Sequence, residues 1–146
     1  MTKQEIKEQI TSWFESDLYS IKDLKEKRMQ IQIQPDTIVP FADFLVNKMG
    51  FRFIIASAMH LKEGIVILYH FSDDSSGIIL NVRVVLTHTN PKIESLTTLF
   101  TAANWIEREM HEILGIDFLN HPNLEKLISV GNWAEGVYPY RKDYKD

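Results

Sequence analysis

Three strand-like segments in the middle of this chain constrain its fold more than any other feature. They span residues 51–60, 64–72 and 77–87, and the third shows the most regular alternation of apolar and polar side chains. The connections KEG and DDSSG are too short to cross over between parallel strands. The three segments are therefore predicted to form an antiparallel meander.

The residues before the meander predict one helix and one more strand. Thr2 and Glu5 match a capping box, and apolar residues then recur at helical spacing, which predicts a first helix over about residues 3–18. After a charged stretch, apolar and glutamine residues alternate over residues 29–34. This alternation is typical of a half-buried strand.

Two further helices are predicted from capping residues and periodicity. Asp36 is a suitable cap for a second helix that ends at Gly50. Ser95 is a suitable cap for a longer third helix, residues 96–114, that ends at Gly115. The order of these elements predicts an α+β fold with a ferredoxin-like, split βαβ sheet of about four strands and helices on one face.

Chain length and periodicity together predict one domain with an extended C-terminal segment. A chain of 146 residues is long enough for one hydrophobic core and short for two. Helix and strand patterns recur up to Gly115, and periodicity fails after it. Residues 116–146 are therefore predicted to form an extended tail that packs on the α/β domain or on a partner subunit.

Composition excludes several classes of function. The net charge is −4 and no basic stripe is present, so nucleic acid is not an expected partner. The chain has no cysteine, which excludes thiolate zinc sites, thiol nucleophiles and cysteine-bound iron–sulfur clusters. No apolar run approaches the roughly 20 residues of a membrane helix, and the N-terminus lacks the apolar stretch of a signal peptide. The expected location is the cytoplasm, with membrane contact only through partners.

The third predicted helix carries the most unusual set of side chains. Its apolar stripe is predicted to pack on the sheet, and Glu107 falls within that stripe, where a carboxylate needs a donor or a raised pKa. Arg108 and Glu112 are predicted on the opposite, polar side, one turn apart. Trp105 also faces away from the stripe, so either the chain's own tail or another protein is expected to cover it.

Metal chemistry is the alternative interpretation of this helix. The letters HEILG begin like the zinc-protease motif, but Gly115 stands where the second histidine is required. Glu107, His111 and His121 remain a possible ligand set for a small metal-dependent hydrolase. A structural network of hydrogen bonds among the same side chains is the simpler interpretation.

The segment NWIEREMHEILGIDFLNHPNL, together with a later tryptophan and the closing RKD, resembles a known family. It is similar to the 30-kDa subunit of respiratory complex I (NADH:quinone oxidoreductase), a family that also supplies a subunit to energy-converting, membrane-bound NiFe hydrogenases. The positions that carry the resemblance, and that are predicted to form family-motif or interface sites, are Trp105, Glu107, Arg108, Glu109, Glu112, Gly115, Phe118, His121, Pro122, Trp133, Arg141, Lys142 and Asp143.

Several positions depart from the family pattern. Glu112 stands where aspartate is usual and Leu114 where phenylalanine is common. Glu125 and Lys126 replace paired arginines, and Tyr140 replaces leucine. With the short segment after RKD, these departures favour the hydrogenase branch, with complex I as the alternative. This preference is an analogy within the family.

The resemblance implies a subunit without a cofactor and without catalytic activity. Such a subunit docks in the cytoplasmic, peripheral arm beside the hydrogenase-large-subunit homologue and close to the iron–sulfur small subunit. NiFe or iron–sulfur centres are then expected in those partners. The polar side chains of the third helix either hold residues 116–146 against the domain or pair with the large subunit. The pairs best suited to either role are Arg108 with Glu112 and Arg141 with Asp143.

Overall fold

The computed structural model describes residues 1–124 and confirms the α+β class. The helices are α1 (Lys3–Phe14), α2 (Ile38–Asp43, continued by a π-helical turn, Phe44–Lys48) and α3 (Ala102–Leu114). The strands are β1 (Leu18–Lys25), β2 (Arg28–Ile33), β3 (Arg52–Leu61), β4 (Gly64–Asp73), β5 (Ile78–Leu86), β6 (Lys92–Glu94) and β7 (Asp117–Leu119). Within the described residues there are two compact units: Met1–Ala56 with Leu68–Val84, and Ser57–Ile67 with residues 85–124.

A five-stranded mixed sheet has the order β1-β2-β5-β4-β3. The predicted meander is confirmed, since β3, β4 and β5 are neighbours in sequence order. Strand β2 pairs parallel with β5, with Met29 opposite Leu80, and antiparallel with β1. The predicted sheet of about four strands did not include β1. The first residue of β1, Leu18, had been assigned to the end of the first helix. Strand β1 is mostly exposed, so it lacks the apolar alternation that identifies a half-buried strand.

Helices α1 and α2 pack against each other in the first unit. The predicted capping box is present, with Thr2 Oγ1 accepting from the Glu5 N–H and the Glu5 carboxylate accepting from the Thr2 N–H. Helix α1 ends at Phe14, earlier than predicted. The Phe14 ring contacts the rings of Phe41 and Phe44 edge-on, with centroids 5.1 and 5.3 Å apart. These aromatic contacts hold α1 against α2 and its π-helical turn.

The predicted start of α2 was wrong, whereas its predicted end is confirmed. Asp36 lies inside a 3₁₀ turn, Pro35–Thr37, and α2 begins at Ile38 without a side-chain cap. The 3₁₀ turn continues the helical direction, so no extended capping residue is needed. Gly50 adopts a left-handed conformation with φ of 76°, as expected for a residue that ends a helix.

The second unit contains a short parallel pair of strands that the sequence did not predict. Strands β6 and β7 place Ile93 opposite Phe118, and both side chains are buried. The Ser95 N–H donates to the Leu119 carbonyl at 2.9 Å, which extends the pairing by one step. Residues 117–119 therefore belong to a sheet, although the sequence placed them in an extended tail. Three-residue strands are too short to show a periodicity.

Helix α3 is shorter than predicted and begins at Ala102 instead of residue 96. Ser95 does not cap it, because the Ser95 hydroxyl points to a side chain within the helix. Gly115 ends the helix in the predicted left-handed conformation, with φ of 75°. Within residues 1–124, no helix is long and apolar enough to span a membrane.

Candidate functional site

Glu107 is the centre of the candidate site, and its predicted position in the apolar stripe of α3 is confirmed. Ala103, Glu107, Met110 and Leu114 recur at helical spacing and are all buried. Only 1% of Glu107 is exposed, whereas glutamate is almost never fully buried without a partner. At Glu107 the helix therefore presents an ionisable group to an apolar environment.

The Glu107 carboxylate is hydrogen-bonded to the segment that follows β6. Its Oε1 accepts from the Ser95 hydroxyl at 2.6 Å, and its Oε2 accepts from the Leu96 backbone N–H at 2.9 Å. The Ser95 and Thr97 hydroxyl oxygens are 2.8 Å apart, so the chain of hydrogen bonds continues to Thr97. The carboxylate thus replaces the water that these buried donors would otherwise need.

His121 connects the segment after β7 to the same site. Its side chain is fully buried, and its Nε2 lies 3.9 Å from Glu107 Oε1 and 3.1 Å from the Asn104 carbonyl oxygen. Its Nδ1 accepts from the Asn123 backbone N–H at 2.9 Å. Because Nδ1 is an acceptor, Nε2 must carry the ring proton, and the Nε2–H group donates a hydrogen bond to the Asn104 carbonyl oxygen. His121 is therefore neutral in this arrangement, and its contact with Glu107 is not an ion pair.

Burial raises the pKa of Glu107 to about 7. The hydrogen bonds from Leu96 and Ser95 oppose this rise in pKa because they stabilise the carboxylate. The nearby charge of Glu94 raises the pKa further. A protonated Glu107 can keep its contact with Ser95 by donating to the Ser95 hydroxyl, which then donates to Thr97. The site accommodates both protonation states.

Stability should therefore fall as pH rises between about 4.5 and about 7. The unfolded chain releases the Glu107 proton near its ordinary pKa of 4.5, whereas the folded chain keeps it up to about 7. The stabilisation is fully present below the pKa that Glu107 has in the unfolded chain, and it is lost as pH rises through the pKa of Glu107 in the folded chain. The free energy of unfolding should fall by up to about 3 kcal/mol over this range. Chemical denaturation of the wild type and Glu107→Gln over this pH range measures the difference.

Glu107→Gln is the matched variant for this pH series. Its amide can donate to Ser95 and accept from Leu96, as the protonated carboxyl does, but it does not titrate. We expect the variant to equal the wild type at low pH and to exceed its stability above about pH 7. Parallel pH profiles for the two proteins would contradict the raised pKa of Glu107.

The residues proposed for metal chemistry do not form a metal centre. The His111 ring is hydrogen-bonded through Nδ1 to the Ile116 carbonyl oxygen at 2.8 Å, where it holds the turn after α3. Over residues 1–124, no group of three histidine, aspartate or glutamate side chains is placed to hold a metal ion. Glu107, His111 and His121 thus do not provide the three protein ligands that a catalytic zinc ion requires.

The outer side of α3 shows which predicted interface residues reach solvent. Trp105 is 60% exposed, which confirms that it faces away from the buried stripe. Glu109 is also exposed, and Arg108 is half-buried. Glu112 was predicted on the polar side, but the structure buries it. The prediction was wrong because a helical projection assumes one covered face, whereas the buried residues of α3 extend beyond one stripe.

Some of the other motif residues lie in the folded core or end a helix, and others lie on the surface. Phe118 is buried in β7, Gly115 ends α3, and Pro122 is exposed beside His121. Trp133, Arg141, Lys142 and Asp143 lie outside the described residues. Sequence reasoning missed the roles of Ser95, Leu96 and Asn123, because two of them act through backbone N–H groups that carry no side-chain signal.

Comparison with known proteins gives one family match that covers most of the chain. The family model described as "Respiratory-chain NADH dehydrogenase, 30 Kd subunit" matches residues 31–146. This range includes the whole motif from Trp105 to Asp143.

Two curated relatives and one solved structure illustrate the range of similar proteins. An NADH-quinone oxidoreductase subunit of Citrifermentans bemidjiense is 37% identical over 79 residues, 54% of this chain and 48% of the relative. An F(420)H(2) dehydrogenase subunit of Methanosarcina mazei is 34% identical over 84 residues, 58% of this chain and 52% of the relative. The chain thus matches about half the length of each of these relatives.

The solved structure supports the fold. It is a chain in the membrane-bound sulfane sulfur reductase, described as an archaeal respiratory membrane complex. The two chains superpose with a TM-score of 0.85, over 97% of this chain and 85% of that one, at 23% identity. At this identity the similarity establishes the fold alone.

Proposed function

Since this chain belongs to the family of the respiratory-chain NADH dehydrogenase 30 Kd subunit, we propose that it is a non-catalytic assembly subunit of a membrane-bound, ion-translocating oxidoreductase. The exposed Trp105 on the outer side of α3 is the observation that carries this proposal. A tryptophan on a surface is costly in water, and tryptophan and arginine are the residues most enriched in the centres of protein interfaces.

The proposed docking surface consists of Trp105, Arg108 and Glu109. These residues follow one another at positions i, i+3 and i+4, so they share one side of α3. The opposite side is anchored, because the buried Glu107 binds Ser95 and Leu96. His121 binds the Asn104 carbonyl, next to Trp105 in the chain. The backbone of such an anchored helix loses little conformational entropy on binding.

The proposed partner is the hydrogenase-large-subunit homologue, with the iron–sulfur small subunit nearby. The chain has no cysteine, so cysteine-bound clusters must be supplied by other subunits. NiFe or iron–sulfur centres would then carry the electrons in the partners, and this chain would position them. Its location would be peripheral, on the cytoplasmic side of the membrane, with membrane contact made through the complex.

Two branches of the family are candidates for the complex. The departures at Glu112, Leu114, Glu125, Lys126 and Tyr140 support an energy-converting NiFe hydrogenase. The named relatives support a dehydrogenase instead, since they are subunits of an NADH-quinone oxidoreductase and an F(420)H(2) dehydrogenase. In both branches the role of this chain is assembly, and only the partners differ.

Affinity purification of the tagged chain from detergent-solubilised membranes of its native host tests the proposal. Mass spectrometry should identify a large-subunit homologue and an iron–sulfur subunit among the co-purifying chains. A large subunit with paired CxxC motifs, the ligands of a NiFe centre, would select the hydrogenase branch. A large subunit without them would select the dehydrogenase branch. Recovery of the chain alone would contradict the assembly function.

A further inference from the structure

Two histidines of the second unit lie in direct contact. His60 Nε2, near the end of β3, is 2.6 Å from His88 Nδ1, just after β5, and the ring centroids are 4.8 Å apart. His88 is exposed and His60 is half-buried, so the pair is accessible to small ions. Two imidazole nitrogens at this distance need a proton or a metal ion between them, because two facing lone pairs repel each other.

The backbone selects which His88 nitrogen is available. Its Nε2 lies 3.0 Å from the carbonyl oxygen of Lys62, in the turn between β3 and β4. Because a carbonyl oxygen only accepts, the Nε2–H group must donate this hydrogen bond. The His88 Nδ1 lone pair is therefore directed at His60. A histidine that donates one ring N–H to a backbone carbonyl and presents the other nitrogen is oriented as metal-binding histidines usually are.

Gly64 allows the backbone to bring these segments together. A Cβ atom at Gly64 would clash with the Leu86 carbonyl oxygen, and the residue has φ of 147°. The end of β5 can therefore approach the start of β4 closely only because position 64 is glycine. His88 follows Leu86 by two residues and Lys62 precedes Gly64 by two. The close backbone approach at Gly64 thus lies two residues along the chain from both Lys62 and His88.

We propose that His60 Nε2 and His88 Nδ1 bind a divalent late first-row metal ion, of the class of Ni²⁺, Cu²⁺ or Zn²⁺. Imidazole suits these ions, whose bonds to nitrogen are about 2 Å long. Binding moves the His60 proton from Nε2 to Nδ1, and it opens the distance between the two nitrogens to roughly 3 Å. Within residues 1–124 no group of three histidine, aspartate or glutamate side chains forms a metal-binding cluster, so the two imidazole nitrogens are the ligands that define the proposed site.

Calorimetric titration of the full chain, carrying a purification tag without histidine, with NiCl₂ tests the site. We expect one Ni²⁺ per chain and a loss of affinity of about tenfold or more in both His60→Gln and His88→Gln. His70→Gln is the matched control, because His70 is hydrogen-bonded to Asn81 in the first unit and should not affect binding. Binding that is unchanged in both variants, or no saturable binding by the wild type, would overturn the proposal.

A second measurement needs no variant. The electron paramagnetic resonance spectrum of the wild type with one equivalent of Cu²⁺ should show hyperfine coupling to two imidazole nitrogens. A spectrum with fewer coupled nitrogens would reject the histidine pair as the site. This readout keeps the proposal testable if a substitution at His60 or His88 prevents folding.

Discussion

Glu107→Ala should lower the free energy of unfolding by about 3 kcal/mol near pH 5. The substitution removes the acceptor for the Ser95 hydroxyl and the Leu96 N–H, both of which lie in a buried environment. It also leaves a cavity in the stripe of α3 where a fully buried side chain packs. Urea denaturation of the purified chain, monitored by tryptophan fluorescence, measures the change.

Glu109→Ala is the control for this prediction. Glu109 lies on the same helix, two residues away, but its side chain is exposed. Its removal should change the free energy of unfolding by less than about 0.5 kcal/mol. The penalty for Glu107→Ala should also shrink above about pH 7, where the wild type must keep a buried charge. Equal effects of the two substitutions would show that Glu107 does not connect α3 to Ser95 and Leu96.

Trp105→Ala should weaken assembly with the partner subunits by about 30-fold or more, equivalent to about 2 kcal/mol. The indole is 60% exposed in the isolated chain, so its loss should leave the free energy of unfolding within about 0.5 kcal/mol of the wild type. Quantitative mass spectrometry of the co-purified large subunit, normalised to the tagged chain, measures assembly. Denaturation of the isolated variant measures folding.

Trp13→Ala is the matched control for Trp105. Trp13 is 62% exposed, on α1, and its position lies outside the family motif. Its ring lies near Phe44 and Lys48, so its removal costs a small amount of local packing. Assembly should persist in this variant. Equal recovery of the large subunit with Trp105→Ala and the wild type would contradict the proposed docking surface, and a loss with both variants would show that it is not confined to α3.

The limits of sequence reasoning are clear at α3. The burial of Glu107 was predictable, because its position follows from helical spacing among apolar residues. Its partners were not predictable, because Ser95 and Leu96 are 12 and 11 residues away and contact it only after the chain turns. Ser95 was interpreted as a helix cap, since the same hydroxyl group suits either role. Local pattern cannot choose between them.

The same distinction applies to the strands. The meander was predictable, because β5 alternates regularly and the connections are short. Strand β1 was not predictable, since it is an exposed edge strand with little apolar alternation. Residues 117–119 form strand β7 only because they pair with β6, which lies on the other side of α3 in the sequence. Pairing between distant segments is a property of the folded chain and leaves no local periodicity.

The sequence by itself determined the α+β class, the meander, the burial of Glu107 and the exposure of Trp105, because each of these depends on local spacing. It also determined the resemblance to the 30 Kd subunit family, because that resemblance depends on a linear motif. Only the tertiary structure decided that Ser95 and His121 meet Glu107, that Glu112 is buried, and that His60 faces His88. These contacts join residues far apart in the chain, and their free energies depend on burial and distance, which exist only once the chain has folded.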